Sequence, residues 1–401
     1  MNGDIPTLSF RERAVSTIRS NSGSEWYEDV SAAGADSTCV EILRADKVMA
    51  SAVVERAEHC TFGQNSGVRP EQLRQSIAIR RVRVAEDAPQ AAFPAILYLA
   101  LRRGRIWGRH TAVAQVAPRT AAGLGAVLGF TPLSRATSPP GYTAVWHRVD
   151  QAAHTAFEAA ADQELRQCLK SGFVPELVEV LHRWLPSYYA TPFFESIRSG
   201  TLAKEQYIYA MSNIHQFVRW TTRLIARAVS HSHGRNLRDH WLNHLKGEIN
   251  HERIIESDLA ALGADVQFVT SDMVPCPSVF QFMAGQQSSS GFEQDPVLLM
   301  ASPLVAEGLS ANMDEDLIAQ LHVQAAAWGI DHPPSVTRFL SSHIGFDGGD
   351  DGHWARTCNM LEQCLTDDAE LQKFLVVMRL SMSAFHDAFT DFIDHLSLHT
   401  R

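Results

Sequence analysis

The spacing of apolar residues changes character near position 150, and this limits the folds open to the 401-residue chain. Before that point short stretches alternate. Thr38–Arg44 and Lys47–Ala57 read as two strands around an Ala45–Asp46 turn, and Ser76–Val84 alternates apolar and basic residues as a half-exposed strand does. Phe93–Trp107 has helical spacing, with Arg102, Arg103 and Arg105 near its end, where cations favour the helix dipole. Thr111–Val116 is a further strand, Thr120–Leu128 a short helix and Tyr142–Val149 a closing strand, with the Pro/Ser/Gly stretch Thr131–Gly141 as a linker. This order predicts an α/β layer over residues 1–150. After Asp150 the pattern is helical almost throughout: Asp162–Ser171, Pro175–Trp184, Ala203–Ser230, Leu237–Leu262, Pro303–Ala311, Asp314–Gly329, Pro334–His343 and Asp367–Ser397. An all-α domain over 160–401 follows.

Charge supports the division. Residues 1–150 hold 18 Lys+Arg against 14 Asp+Glu, a net of +4; residues 151–401 hold 17 against 31, a net of −14. Three of the 18 histidines lie in the first part and fifteen in the second. So acidic a second part argues against a nucleic-acid partner. No apolar run is long enough for a membrane span, so a cytoplasmic protein is the expectation. The six cysteines (Cys39, Cys60, Cys168, Cys276, Cys358, Cys364) form no C-x-x-C and read as reduced thiols.

The richest stretch is Trp241–Gly263, with Glu248 and His251 spaced E-x-x-H. On a continuous helix that spacing puts a carboxylate and an imidazole on one face, one turn apart. Oxygen beside nitrogen suits iron or manganese better than a structural zinc site. Glu307 lies in an apolar setting, where an unpaired carboxylate is costly. His343, Asp347 and His353 form a later cluster. Five residues separate Asp347 from His353, with Gly348, Gly349 and Gly352 among them, so a single regular helix does not align all three; a π-bulge or local unwinding is required, and Asp350 rivals Asp347. The run His231, His233, His240 and His244 is irregular and reads as a helix junction rather than a metal site.

Two resemblances add to this. The first part, with "GLGAVLGFTPLS", is similar to the later half of the GNAT acyltransferase fold. The loop that would hold a CoA pyrophosphate reads AEDAPQAAFPA here, without glycine and with Glu86 and Asp87, so CoA binding in the usual mode is not expected. An acyl carrier protein is a conceivable partner, met by Arg102, Arg103, Arg105 and Arg109; the alternative is a solvated helix end. In the second part, Tyr189–Trp220 resembles the opening of thiaminase-II-like and haem-oxygenase-like bundles at Pro192, Phe193, Gly200, Leu202, Tyr207 and Phe217. With the acid and histidine pattern, the part is similar to the haem-oxygenase-like diiron oxidases and oxygenases.

That resemblance implies a seven-helix bundle and a homodimer. It implies two Fe(II) per chain, held by Glu248, His251, Glu307 (as the bridge), His343, Asp347 and His353. It implies an O2-dependent reaction on a small molecule in specialised metabolism, with N-oxygenation of an amine or amino-acid-derived substrate favoured. The alternatives are desaturation, decarboxylation or C–C cleavage of an acyl or amino-acid substrate, and, in another class, an acyltransferase with a helical scaffold. His215, Trp220 and Tyr207 fall on early helices that border the substrate cavity in that family, though core packing is the favoured role for each.

Overall fold

A computed structural model describes residues 8–14, 37–59, 68–116, 121–122, 128–133, 143–148 and 163–399. It divides into two compact units, Met1–Val180 with Leu365–Gln372, and Leu181–Cys364 with Lys373–Arg401.

The first unit is built on a seven-stranded sheet in the order β1-β2-β3-β4-β5-β7-β6. Its strands are β1 (Leu8–Ala14), β2 (Thr38–Arg44), β3 (Lys47–Arg56), β4 (Ser76–Val84), β5 (Thr111–Val116), β6 (Thr131–Pro132) and β7 (Thr143–Arg148). The β2–β3 hairpin turns at Ala45 and Asp46, whose φ values of 49° and 64° give the left-handed pair a two-residue hairpin needs. All neighbours are antiparallel except β4 and β5, and α1 (Ala92–Ile106) makes the crossover a parallel pair requires. The parallel pairing covers only Ser76–Ile79 against Thr111–Ala114, while β4 stays paired with β3 out to Val84. Most of the Thr120–Leu128 helix and of the Thr131–Gly141 linker lies outside the described residues. The strand Leu8–Ala14 has no counterpart in the sequence reading.

The arginines of α1 are not surface cations. Arg102, Arg103 and Arg105 are 2%, 8% and 3% exposed. Arg105 Nε and Arg102 Nε each lie 2.9 Å from the Glu176 carboxylate, and Arg105 Nη2 lies 3.1 Å from Asp368 Oδ1, which also accepts from the Tyr98 hydroxyl. Arg103 pairs with Glu12 and Glu179, and Arg109 with Glu58. They therefore offer a carrier protein no docking face, nor are they a solvated helix end. Glu176 and Glu179 lie on α3 (Phe173–Tyr189). Leu165, Cys168 and Leu169 of α2 (Gln163–Lys170) join the core of the sheet. These contacts carry the first unit on to Val180, past the boundary expected at 150–160.

The second unit is helical, and no strand occurs among its described residues. Its helices are the later part of α3, then α4 (Pro192–Arg198), α5 (Lys204–His231), α6 (Arg235–Glu248), α7 (His251–Ala261), α8 (Val266–Ser271), α9 (Pro277–Gln287), α10 (Ala301–Ala311), α11 (Glu315–Ala327), α12 (Arg338–Asp347), α13 (His353–Cys364) and most of α14 (Asp368–His399). Pro192 opens α4 at the position where its missing N–H costs nothing, and Gly200 at φ 71° lies just beyond its end. Tyr207 is fully buried, its hydroxyl donating to Val336 O at 2.9 Å.

The predicted helix Leu237–Leu262 is two helices. Ile249 is extended and Asn250 takes φ 71°, which ends α6 at Glu248 and starts α7 at His251. The helices α4, α8, α9 and α13 were not read from the sequence. Between His343 and His353 the chain unwinds rather than bulging: α12 stops at Asp347 and α13 begins at His353. A π-helical turn occurs elsewhere, at Ser288–Phe292 after α9.

Candidate metal centre

Five helices bring the acids and imidazoles together. Trp241, His244 and Glu248 share one face of α6 at spacings of three and four residues. The break at Asn250 then returns His251 to the same place, with Nδ1 3.0 Å from Glu248 Oε2. Glu307 comes from α10, His343 and Asp347 from α12, and His353 from α13.

Glu248, rather than Glu307, is the central carboxylate. Besides His251, its Oε1 lies 3.6 Å from His244 Nε2 and 3.9 Å from His353 Nδ1. His244 Nε2 is also 3.1 Å from Glu307 Oε1. Asp347 Oδ1 lies 3.1 Å from His353 Nδ1. Asp347 is buried beside His353, and Asp350 is exposed. His343 Nδ1 donates to Phe339 O at 2.8 Å, leaving Nε2 as the free lone pair, and its ring centroid is 4.8 Å from that of His251. All six predicted residues are thus close together, although the E-x-x-H pair meets across a helix break and not along a helix face.

Three contributors were missed. His244 belongs to the cluster, not to a helix junction: of the irregular histidine run, it is the one whose ring nitrogen lies near both Glu248 and Glu307. Thr357, one turn beyond His353, donates to Glu307 Oε2 at 3.0 Å, and finding it required the unpredicted helix α13. Gly247 gives room to an imidazole, since a Cβ there would stand 2.8 Å from His353 Nε2. Asp239 pairs with Arg235 and Arg238 instead of reaching the centre.

Electrostatics separates the two glutamates. Burial raises the Glu248 pKa, but the imidazoles of His244 and His251 beside it outweigh that and hold the carboxyl well below its usual range. Glu307 is driven well above its usual range, first by burial and then by the charges of Asp347 and Glu248, with the Thr357 bond too weak to compensate. Burial lowers the His343 pKa, and burial with the neighbouring His244 brings His240 down to about 4. A buried carboxylate facing two others is a place where a cation is stabilising.

Among the described residues no group of three or more His, Cys, Asp or Glu side chains is placed so that it could hold a metal ion as it stands. The kind of donor fits one nonetheless. Glu307 Oε1 and His251 Nδ1 are buried without a hydrogen bond, because their contacts at 3.1 and 3.0 Å are out of line for one. Donors about 2.1 Å from a shared ion and about 90° apart are about 3.0 Å from each other, the size of these contacts. Carboxylate and imidazole together suit first-row divalent ions.

A cavity of about 150 Å³ adjoins the cluster, with Glu248, Glu307, Asp347, His244 and His343 on its wall. The remaining wall is mostly apolar and includes Phe217, Phe282, Phe385 and Phe389. Tyr207, His215 and Trp220 do not line it. Buried His215 instead meets Glu256 at 3.1 Å.

No protein-family model matches the chain, and no curated protein matches it. Among solved structures, a domain of unknown function with a heme oxygenase-like fold from Shewanella denitrificans OS217 aligns with 56% of this chain and 94% of its own, at 19% identity and a TM-score of 0.48. A TenA homolog from Pseudomonas syringae pv. tomato str. DC3000 aligns with 55% and 93%, at 14% identity and a TM-score of 0.46. A CADD-like protein of unknown function from Nostoc punctiforme PCC 73102 aligns with 57% and 95%, at 14% identity and a TM-score of 0.41. At such scores and identities these are distant likenesses.

Proposed function

We propose that the helical unit is a non-haem dimetal oxidase or oxygenase that uses O2 and two Fe(II) ions. One observation carries the reading: Glu248, its side chain 11% exposed, lies among three imidazoles, with a second, buried glutamate, Glu307, left with an unpartnered oxygen. Glu248, His251, Glu307, His343, Asp347 and His353 would hold the ions, with His244 as a further donor. Ferrous iron supplies electrons to O2, which these side chains alone do not.

The protein's own part is positional. Asn250 and the unwound turn before His353 fix where the donors point, and Phe339 O sets the His343 tautomer. The aromatic wall keeps bulk water from the reacting end of the cavity. We place the reaction at an amine nitrogen, because the helical part of the chain carries a net charge of −14, which draws a cationic partner. The test is anaerobic titration with Fe(II), read as ions bound per chain. About two are expected, with Glu248→Ala losing both; no uptake of iron, or tight zinc in its place, rejects the reading.

We read the first unit as a GNAT-like module that has lost CoA binding. Its strand–helix–strand order through β4, α1 and β5 supports the likeness. In the loop before α1, Asp87 is taken by Lys47 at 2.6 Å on the surface. Calorimetry that finds micromolar acetyl-CoA binding overturns this.

A further inference from the structure

The aromatic end of the cavity contains a buried acceptor that no described residue satisfies. Gln286, 8% exposed, lies at the end of α9 and lines the cavity, and its Oε1 has no hydrogen-bond partner. It shares a helix face with Phe282, one turn earlier. The Phe282 ring packs against Phe217 and Phe385 at centroid distances of 5.2 and 4.5 Å. Helix α9 supplies none of the acids or imidazoles of the cluster.

The backbone at Gln286 is held in place. Helix α9 runs directly into the π-helical turn Ser288–Phe292, and Ser290 Oγ donates to Gln286 O at 2.9 Å. Turns of that kind frequently mark functional sites. The neighbouring cation, Arg227, donates to Gln287 instead. An uncharged carbonyl left unpaired among aromatic rings is costly, and the charge of the cluster, with or without ions, does not change that. A second unpartnered atom on the wall is a donor: Trp241 is 0% exposed, its Nε1 has no partner, and it lies on α6 one turn before His244, at the cluster end. A ligand hydroxyl or amide N–H therefore finds its acceptor at the aromatic end, and an ether oxygen placed there leaves Oε1 unpaired.

We infer that Gln286 is a specificity-determining residue: the cavity takes a ligand with an aromatic body whose end remote from the cluster carries an uncharged hydrogen-bond donor, a hydroxyl or an amide N–H. The body lies among Phe217, Phe282 and Phe385. The inference rests on reading this cavity as the substrate chamber of the proposed oxidase, and adds the remote donor to that reading.

The test is calorimetry on the full chain with three uncharged probes. They are 4-ethylphenol, ethylbenzene, which lacks the hydroxyl, and 4-ethylanisole, which keeps the oxygen and lacks the donor. The phenol is expected to bind about three- to tenfold more tightly than either of the others. Gln286→Met, which keeps the length of the side chain and removes the carboxamide, is expected to abolish that advantage and leave ethylbenzene within about twofold. Equal binding of the three by the unmodified protein overturns the inference, as do binding of none and an advantage that survives Gln286→Met. If that variant does not fold, the ranking on the unmodified chain decides. The same ranking is expected with and without added iron; a phenol advantage seen only with iron means that the hydroxyl ligates the ion, and overturns the inference. The two readings fail separately. The ranking in a chain that takes up no iron rejects the oxidase alone, and iron uptake without the ranking rejects the role of Gln286 alone.

Discussion

Asp258 shows how one buried acid shapes stability. It is fully buried and accepts from the Phe339 N–H at 2.9 Å and Arg338 Nε at 3.2 Å, yet burial outweighs both and lifts its pKa from the usual 3.8 to about 6. An acid raised in the folded state binds its proton more tightly there than when unfolded. Its contribution is complete below pH 3.8 and is lost as pH rises through about 6. Each pKa unit is worth about 1.4 kcal/mol, so Asp258→Asn should remove a loss on the order of 2 kcal/mol between pH 4 and 7. Urea melts of both proteins across that range check this; an unchanged slope in the variant counts against it. At Gly247 the helix itself would gain from alanine, by about 1 kcal/mol. The added methyl would nevertheless press on His353. Gly247→Ala should keep the far-ultraviolet signal while binding less iron, and full retention of both ions would show that His353 is not a ligand.

At the scale of elements, the break between α6 and α7 turns on Asn250, one of the few residue types that tolerates positive φ. Asn250→Gly should be neutral within about 0.5 kcal/mol, and Asn250→Ala should cost about 1–2 kcal/mol, read from thermal melts. Equal midpoints for the two would mean the break is held from elsewhere. This break also marks the limit of what the sequence tells. Apolar spacing through Leu237–Leu262 is continuous, so periodicity joins two helices that a single dihedral separates. The short helices α4 and α8 carry too few turns for their period to stand out. By contrast, β2, β3, β4 and α1 were legible within one or two residues, because alternation and a long apolar run are strong local signals. The candidate donors Glu248, His251, Glu307, His343, Asp347 and His353 were legible as residue types. Their arrangement, with Glu248 at the centre and His244, Thr357 and Gly247 around it, depends on which helices face one another, and no local pattern encodes that.

At the scale of the molecule, the split in charge between the two parts of the chain conceals where the cations of the first part go. Arg102 and Arg105, read from the sequence as candidates for meeting a partner, are used inside the first unit on Glu176 and Asp368. Glu176 is 1% exposed and serves two guanidinium groups. Glu176→Ala leaves both buried without it, and removing one partner of a buried ion pair typically costs about 3–5 kcal/mol. The first unit should therefore unfold at lower denaturant, while iron binding by the second, followed below that midpoint, is expected to persist. Unchanged denaturant midpoints would mean that Asp368 alone satisfies the arginines. No helix among the described residues is long and apolar enough to cross a membrane.

The turn from Gly348 to Gly352 sets the spacing of Asp347 and His353 by chain length alone. A Cβ on Gly352 would stand 2.4 Å from the carbonyl oxygens of both Asp347 and Gly348, so the loop closes on its own backbone and has no slack to absorb an extra residue. The acids at its tip, Asp350 and Asp351, are exposed. Replacing either with Asn should leave iron uptake close to normal. Inserting one glycine beside them, which alters no donor and adds no bulk, should weaken uptake more than either replacement does. The tolerance of the site is thus one of length rather than of chemistry: this short loop can drift in composition at its tip but not in its residue count.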